Sequence, residues 1–165
     1  MGMVGSFAAL SPADYERLRG NPDGVQDYLF SEEGEVDPPF YFDVDKTWHA
    51  IHFMLAGSPD GVDAPPEAMA VLGGEEVGDE IGYGPARLLS PSQVAMVAKG
   101  LEPLTPEVFG RRYRPKEMDA ADIYPQIWER DGAEGLEYIL AYYQQLRTFY
   151  LDAAQRGDGA ILWLS

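Results

Sequence analysis

The chain contains no cysteine among its 165 residues. Disulfide bonds, thiolate catalysis, zinc–thiolate sites and iron–sulfur clusters are therefore excluded. Long apolar runs are also missing, because no stretch approaches the roughly 18 residues that a membrane span requires. The first residues lack a basic segment followed by an apolar one, so no secretory signal is predicted. These absences predict a soluble protein of the cytoplasm.

Positive charge is scarce as well. Twelve lysines and arginines face 28 aspartates and glutamates, and the formal net charge is −16. A surface this negative repels phosphate backbones and anionic lipids, so neither nucleic-acid nor membrane binding is expected. The charge favours solubility, and it suits a basic protein as partner, while a small-molecule ligand stays open. Nothing in the composition indicates an oligomeric state.

Several catalytic and cofactor motifs are absent. The chain has no Gly-x-Ser-x-Gly elbow of a serine hydrolase, no Gly-x-Gly-x-x-Gly fingerprint and no Gly-Lys-Ser/Thr phosphate loop. No cofactor is therefore predicted. A basic cluster at 111–116 is able to bind a phosphate or carboxylate, although pairing with the surrounding acidic side chains is the plainer interpretation.

Helix signals are clear in three places. Ser11, Ser90 and Thr105 each precede a proline, which is typical of an N-cap followed by the first helical residue. The strongest amphipathic pattern runs from Leu136 to Ala154 at three- and four-residue steps and ends before Gly157, where a C-cap is expected. A further helix is predicted over residues 45–55.

Strands are predicted at 3–10, 86–89 and 160–164, where the sequence is apolar on both faces of a strand. Helices separate these segments, and strands buried on both faces indicate helices packed on both sides of a sheet. The pattern predicts one α/β domain over residues 1–165, built on a small mixed or parallel sheet. The acidic segments 31–39 and 73–84 are predicted to be loops.

The segment around residue 43 allows two interpretations. Asp43 and Asp45 follow apolar residues in an Asp-x-Asp-x-Thr pattern, which resembles the first motif of the haloacid dehalogenase superfamily of phosphatases. That resemblance implies a nucleophilic aspartate beside magnesium. However, the pattern leads directly into a predicted helix, and no later aspartate pair follows in a strand–loop context. Helix capping by Asp43 or Asp45 is therefore the plainer interpretation.

His49 and His52 are the only histidines of the chain. At a spacing of three they share one helix face, so they form a weak candidate for a divalent metal site together with Asp45. His52, Asp45, Trp48 and Tyr83 are also candidates for a ligand pocket or a small hydrolase site. That hypothesis requires the four side chains to converge, and it fails if His52 is buried and bonded to the backbone. A structural histidine is the commoner case.

Four segments together resemble the YfbM-like family, a bacterial family described as a domain of unknown function. They are residues 1–5, 43–57, 82–89 and 123–125. The resemblance spans nearly the whole chain, and the second segment is its most specific part. It implies a three-layer αβα arrangement and no known activity.

The family's Asp-Lys-x-Trp-x-x-x-His pattern falls on Asp45, Lys46, Trp48 and His52, and it marks either a site or the way in which this helix packs. Three functional hypotheses follow. The leading one is a non-catalytic, acidic binding domain of the bacterial cytoplasm that recognises a basic partner. The alternatives are a small hydrolase or ligand-binding enzyme around His52, Asp45 and Trp48, and a divalent metal-binding protein.

Overall fold

The computed structural model describes residues 2–30, 32, 38, 41–57 and 64–165. Its strands are β1 (Gly5–Leu10), β2 (Tyr41–Asp43), β3 (Glu75–Glu80), β4 (Pro85–Leu89) and β5 (Gly159–Leu164). Its α-helices are α1 (Pro12–Gly20), α2 (Val25–Leu29), α3 (Trp48–Ala56), α4 (Met69–Leu72), α5 (Pro91–Leu101), α6 (Pro106–Gly110), α7 (Pro115–Ala120), α8 (Trp128–Asp131) and α9 (Ala133–Arg156). The predicted loop at 31–39 lies largely outside the described residues.

The five strands form one sheet in the order β2-β1-β5-β4-β3, and every neighbouring pair is antiparallel. The prediction of a mixed or parallel sheet was therefore wrong, although the α/β class is confirmed. The prediction relied on burial of both strand faces, which is typical of parallel sheets. An antiparallel sheet acquires the same pattern when helices cover both of its faces, as they cover β1 and β5 here.

The residues of β1 alternate between two apolar clusters. Phe7 and Ala9 join a large cluster that contains residues of α3, α5 and α9. Ala8 and Leu10 join a smaller cluster that contains residues of α1 and α2. Helices thus pack against both faces of the sheet, and most of the core lies on the side of α9.

Two strands were missed by sequence reasoning, and both lie at the edges of the sheet. β3 carries Glu75, Glu76, Asp79 and Glu80, all of them exposed, so it lacks the apolar pattern of a buried strand. Gly78 has a φ of 74°, and the pairing register with β4 shifts nearby. Charged, irregular edge strands of this kind oppose pairing with other chains. The loop predicted at 73–84 is therefore corrected to a β-hairpin.

The predicted helix caps are confirmed. The Ser11 hydroxyl accepts a hydrogen bond from the Asp14 amide (3.1 Å), and the Thr105 hydroxyl accepts one from the Val108 amide (3.3 Å). Ser90 and Gln93 form a complete capping box at the start of α5. These bonds satisfy amides that a helix leaves free at its first turn.

The helix α9 confirms the strongest sequence pattern. Its residues Ile139, Tyr143, Leu146 and Tyr150 are fully buried in the larger cluster, and Gly157 caps its end with a φ of 76°. Of the described helices, none combines the length and the apolar character needed to cross a membrane.

The predicted helix over 45–55 begins differently from expectation. Residues Asp45–Thr47 form a 3-10 turn, and α3 starts only at Trp48. Asp45 has a φ of 49°, a left-handed conformation that a right-handed helix does not accommodate. Neither Asp43 nor Asp45 caps α3, because its N-cap is Thr47 and lacks a side-chain cap bond.

Candidate functional site

The 3-10 turn before α3 is anchored to α9 by a tyrosine. The Tyr138 hydroxyl donates a hydrogen bond to Asp45 Oδ2 (2.6 Å) and accepts one from the Lys46 amide (3.2 Å). Burial, followed by the hydrogen bond to Asp45, raises the pKa of Tyr138 well above its ordinary value. Tyr138 therefore stays a neutral hydrogen-bond donor near pH 7. It holds the carboxylate of Asp45, the first residue of the family's Asp-Lys-x-Trp-x-x-x-His pattern, which is called the signature below.

Asp43 lies at the end of β2, but its surroundings differ from those of a phosphatase nucleophile. Its Oδ1 accepts a hydrogen bond from the Asp45 amide at 2.9 Å, which supports the left-handed turn. β2 is an antiparallel edge strand rather than a central parallel one. In the described ranges, Asp43 and Asp45 belong to no group of three or more metal-ligating side chains.

Trp48 and Tyr124 hold the amino-terminal segment. Trp48 Nε1 donates to the Met3 carbonyl, and the Met3 amide donates to the Tyr124 hydroxyl, both at 2.9 Å. The two rings stack with centroids 5.8 Å apart. Both polar groups of Met3 are thus satisfied by side chains of the signature region, so this part of the site has a structural role.

His49 is tied to the same region through its ring. Its Nδ1 accepts a hydrogen bond from the Tyr124 amide at 2.9 Å, and the ring stacks on Trp48 with centroids 5.0 Å apart. Burial, followed by the proximity of His52, lowers the pKa of His49. The neutral ring is the form that accepts the amide bond, because a protonated ring has no acceptor.

His52 is buried, with 8% of its surface exposed. Burial lowers its pKa, and a hydrogen bond to the backbone of Ala68 opposes that shift in part. Its Nδ1 is buried without a hydrogen-bond partner. A buried, backbone-bonded histidine is the arrangement that weighs against a catalytic role.

Tyr83 lies apart from these residues. It is 52% exposed in the turn between β3 and β4, and its amide donates to the Leu164 carbonyl at 3.1 Å. The cavity beside it, about 80 Å³, is lined by residues such as Glu76, Arg87 and Trp163 and by none of Asp45, Trp48 and His52. The four candidate residues therefore do not line one common pocket there.

The metal hypothesis finds no cluster in the part of the chain that the structure describes. No group of three or more histidine, aspartate and glutamate side chains is placed to hold an ion there. The Asp45 carboxylate already accepts the Tyr138 hydroxyl, and His49 Nδ1 already accepts an amide. For His49 to bind an ion, its bond to the Tyr124 amide has to break, because a neutral imidazole has a single acceptor nitrogen.

Sequence reasoning missed Tyr138 as a site residue and included Tyr124 in the segment 123–125 that resembles the family. Tyr138 lies on α9 next to the core residue Ile139, so periodicity alone does not distinguish it. The only sequence signal for Tyr124 was the segment Ile123-Tyr124-Pro125, which is one of the four segments that resemble the family. The site is therefore a set of hydrogen-bonded anchors between the signature turn, α9 and the amino-terminal segment.

The fold and this anchored turn define an α/β domain with a five-stranded antiparallel sheet and helices on both faces. The family described as "Domain of unknown function (DUF1877)" matches residues 1–163, and the chain belongs to that family. Together with the following matches to YfbM, this family match confirms the resemblance noted from the sequence.

A curated relative and a solved structure each match almost the entire chain. The chain is 25% identical to Protein YfbM of Escherichia coli (strain K12) over 170 residues, which cover 98% of this chain and 97% of the relative. It is also similar to the crystal structure of a protein of unknown function, YfbM from Escherichia coli, with a TM-score of 0.73 at 23% identity. That match covers 98% of this chain and 99% of the other and shows a shared fold.

Proposed function

We propose that this chain is a non-catalytic binding domain of the bacterial cytoplasm that recognises a basic protein. The starting point is its formal net charge of −16. A field of this strength accelerates the encounter with a basic partner and suppresses encounters with acidic ones. The contacts of the few positive side chains decide how much of this negative charge is available to a partner.

All nine arginines are engaged within the chain, and this observation carries the proposal. Seven lie within 4.0 Å of a carboxylate: Arg17, Arg19, Arg87, Arg111, Arg114, Arg130 and Arg156. Arg112 donates to the Met54 carbonyl (3.2 Å), and Arg147 donates to the carbonyls of Leu101 (2.9 Å) and Glu102 (2.6 Å). The arginines are thus occupied, while a large excess of carboxylates remains for an external cation.

The same contacts weaken the anion-site interpretation of the cluster at 111–116. Arg111 pairs with Glu107, Arg112 binds the end of α3, and Arg114 lies 3.9 Å from Glu117. These exposed pairs add little stability. They do offset the charges of Arg111 and Arg114, so this basic segment attracts a phosphate less strongly than its four positive side chains suggest.

The anchored site also favours binding over catalysis. Asp45, Trp48 and His49 each direct a polar atom at another part of the chain, and His52 is buried. A general acid or base has to reach the substrate proton within hydrogen-bond distance. Here the candidate groups are occupied or covered, which supports a scaffold role for the signature.

The test is a capture experiment with the full chain immobilised on a support. A lysate of the source organism is passed over it at about 50 mM and at about 300 mM NaCl, because screening shortens the reach of exposed charges over that range. We expect retention of one or a few basic proteins at low salt and their release at high salt. Binding is then measured with the purified partner.

The control is an unrelated acidic domain of similar size and net charge on the same support. A partner retained equally by both supports indicates simple ion exchange and contradicts the proposal. Retention of no basic protein, or retention that salt does not change, contradicts it as well.

A further inference from the structure

The loop between α7 and α8, residues 121–127, has an unfavourable backbone conformation. Asp122 has a φ of 58° and Gln126 a φ of 63°, in the left-handed region that residues other than glycine rarely adopt. Such conformations persist where tertiary contacts impose them. Gln126 Nε2 donates to Asp122 Oδ1 (2.8 Å) and joins the two positions. The loop therefore depends on its contacts with the rest of the fold.

His49 makes a central contact with this loop. The Tyr124 amide lies between the two left-handed residues, and it donates its hydrogen bond to His49 Nδ1. The Tyr124 hydroxyl in turn accepts the amide of Met3. One imidazole nitrogen thus supports the loop, and the loop supports residues 2–4, the amino-terminal segment that leads into β1.

The amino-terminal segment packs closely against Tyr124. A Cβ atom at Gly2 would overlap both the Tyr124 hydroxyl and Cε of Lys46, so only glycine allows this approach. A displacement of Tyr124 removes this packing together with the hydrogen bond of the Met3 amide. The position of the segment is therefore coupled to that of Tyr124.

The bond between His49 and Tyr124 requires one protonation state of the ring. Because Nδ1 accepts the amide, the neutral ring carries its proton on Nε2. A second proton turns Nδ1 into a donor that faces the N–H group of the amide. Two donors cannot share a hydrogen bond, so protonation of His49 breaks this contact.

The surroundings of His49 favour the neutral ring. The elements packed on α3 include the 3-10 turns at 45–47 and Pro66–Ala68, together with α4 and α9. Their titratable and charged groups near α3, with those of α3 itself and of the loop, are Asp45, Lys46, His52, Glu67, Asp122, Tyr124, Glu137, Tyr138 and Tyr142. Among these groups, only His52 affects the pKa of His49 by its charge, and it acts in the same direction as burial.

We propose that His49 is a pH-sensitive switch that releases the amino-terminal segment. Protonation of the ring frees the Tyr124 amide, and the loop relaxes from its left-handed conformations. Tyr124 then no longer holds Met3, while α9 and the sheet keep their own apolar core. The switch needs no partner, so it goes beyond the proposed binding function and is tested separately from it.

Acid favours the released form. In that form the ring is solvated and titrates near its ordinary pKa of 6.5, whereas burial lowers the pKa in the closed form. As the pH falls, the released form therefore binds a proton before the closed form does. The closed form keeps its full advantage above about pH 6.5 and loses it below. At about pH 5.5 the released population is up to about tenfold larger than at about pH 7.5.

The experiment measures amide hydrogen-exchange protection factors of the full chain by NMR at about pH 7.5 and about pH 5.5. The Tyr124 amide reports the bond to His49, and the Met3 amide reports the amino-terminal segment. Leu146, fully buried on α9, reports global unfolding. Protection factors already correct for the pH dependence of exchange in a free amide.

Two variants of His49 separate the acceptor from the titration. His49→Asn places Oδ1 near the position of Nδ1, where it accepts the amide without titrating. His49→Leu keeps an apolar side chain of moderate size and removes the acceptor. His52→Gln is the matched control, because it removes the other histidine of α3 and leaves the bond of His49 intact. Circular dichroism checks that each variant is folded.

In the wild-type chain and in His52→Gln, we expect the protection of Tyr124 and Met3 to fall by about fivefold to tenfold in acid, relative to that of Leu146. His49→Asn is expected to keep this relative protection constant within about twofold. His49→Leu is expected to show low protection of Tyr124 at both pH values, because the amide has lost its acceptor.

A relative protection of Tyr124 that does not change with pH overturns the switch, and so does an equal fall in His49→Asn. A fall that Leu146 shares in full indicates global unfolding and overturns it as well. If Tyr124 responds to acid and Met3 does not, the release of the amino-terminal segment is refuted.

Discussion

The hydroxyl of Tyr138 donates a 2.6 Å hydrogen bond to the carboxylate of Asp45, although 93 positions separate the two residues in the chain. The bond fixes a left-handed residue at the entrance of α3 and connects it to the longest helix of the fold. Asp45 therefore has a structural role, but it is an anchor to α9 rather than the helix cap that the sequence predicted.

Tyr138→Phe tests this anchor. The substitution keeps the ring but removes the donor to Asp45 and the acceptor for the Lys46 amide, so we expect a loss of about 1–2 kcal/mol in the free energy of unfolding. Urea denaturation measures the loss. Tyr142→Phe is the matched control on the same helix, and it is expected to change stability by less than about 0.5 kcal/mol. Equal effects of the two substitutions contradict the anchor role.

Trp48→Phe tests the hold on the amino-terminal segment. Trp48 Nε1 bonds the Met3 carbonyl, whereas Nε1 of the equally buried Trp163 has no partner. Both tryptophan-to-phenylalanine changes remove a similar side-chain volume. The difference between their losses of unfolding free energy therefore reports on the hydrogen bond. We expect Trp48→Phe to cost about 1 kcal/mol more than Trp163→Phe.

Amide hydrogen exchange measures the effect of Trp48→Phe directly at the amino-terminal segment. The Val4 amide donates to the Ser165 carbonyl, and this pairing is expected to exchange faster in Trp48→Phe than in the wild-type chain. Unchanged protection of Val4 indicates that Trp48 does not hold the segment.

The two histidines predict a loss of stability in acid. Burial lowers the pKa of His49 and of His52 from the ordinary value of 6.5. As the pH falls, the unfolded chain therefore binds protons before the folded chain does. The contribution of the two histidines to the free energy of unfolding is complete above about pH 6.5, and it is lost as the pH falls toward the folded-state pKa. Unfolding free energies at several pH values between about 7.5 and 5.5 measure this trend.

His52→Gln is the comparison for the pH series, because glutamine is a polar side chain that does not titrate in this range. The difference in stability between wild type and His52→Gln is expected to shrink as the pH falls. A difference that stays constant or grows in acid shows that His52 is not held neutral by burial.

Ser90→Ala tests the helix cap that the sequence predicted. The Ser90 hydroxyl accepts a bond from the Gln93 amide (3.1 Å), and Gln93 Oε1 accepts one from the Ser90 amide (2.9 Å). Loss of the hydroxyl is expected to cost about 0.5–2 kcal/mol. Ser92→Ala, in the exposed first turn of the same helix, is expected to stay within about 0.5 kcal/mol. A larger loss of stability in Ser92→Ala than in Ser90→Ala contradicts the capping role of Ser90.

The sequence predicted those features that depend on neighbours in the chain. The caps at Ser11, Ser90 and Thr105, the period of α9 and three of the five strands follow from local chemistry. β3 was missed because its exposed acidic residues hide the apolar pattern. β2 was missed because it is only three residues long.

The direction of the strands and the composition of the site depend on residues far apart. β1 and β5 pair antiparallel although they come from opposite ends of the chain, and burial on both faces does not reveal that direction. The partners of Asp45 and His49 are Tyr138 and Tyr124, 93 and 75 positions later. No spacing rule of helices or strands connects residues so far apart in the chain. The signature at residues 45–52, by contrast, is a local pattern and could be recognised from the sequence.

The salt dependence of the affinity for a purified basic partner recovered by capture tests the proposed function most directly. Isothermal titration at ionic strengths from about 0.05 to 0.3 M covers the range over which screening changes most. We expect a dissociation constant that rises by about tenfold or more across this range, because carboxylates unmatched by arginines attract the partner. A dissociation constant that salt leaves unchanged contradicts it.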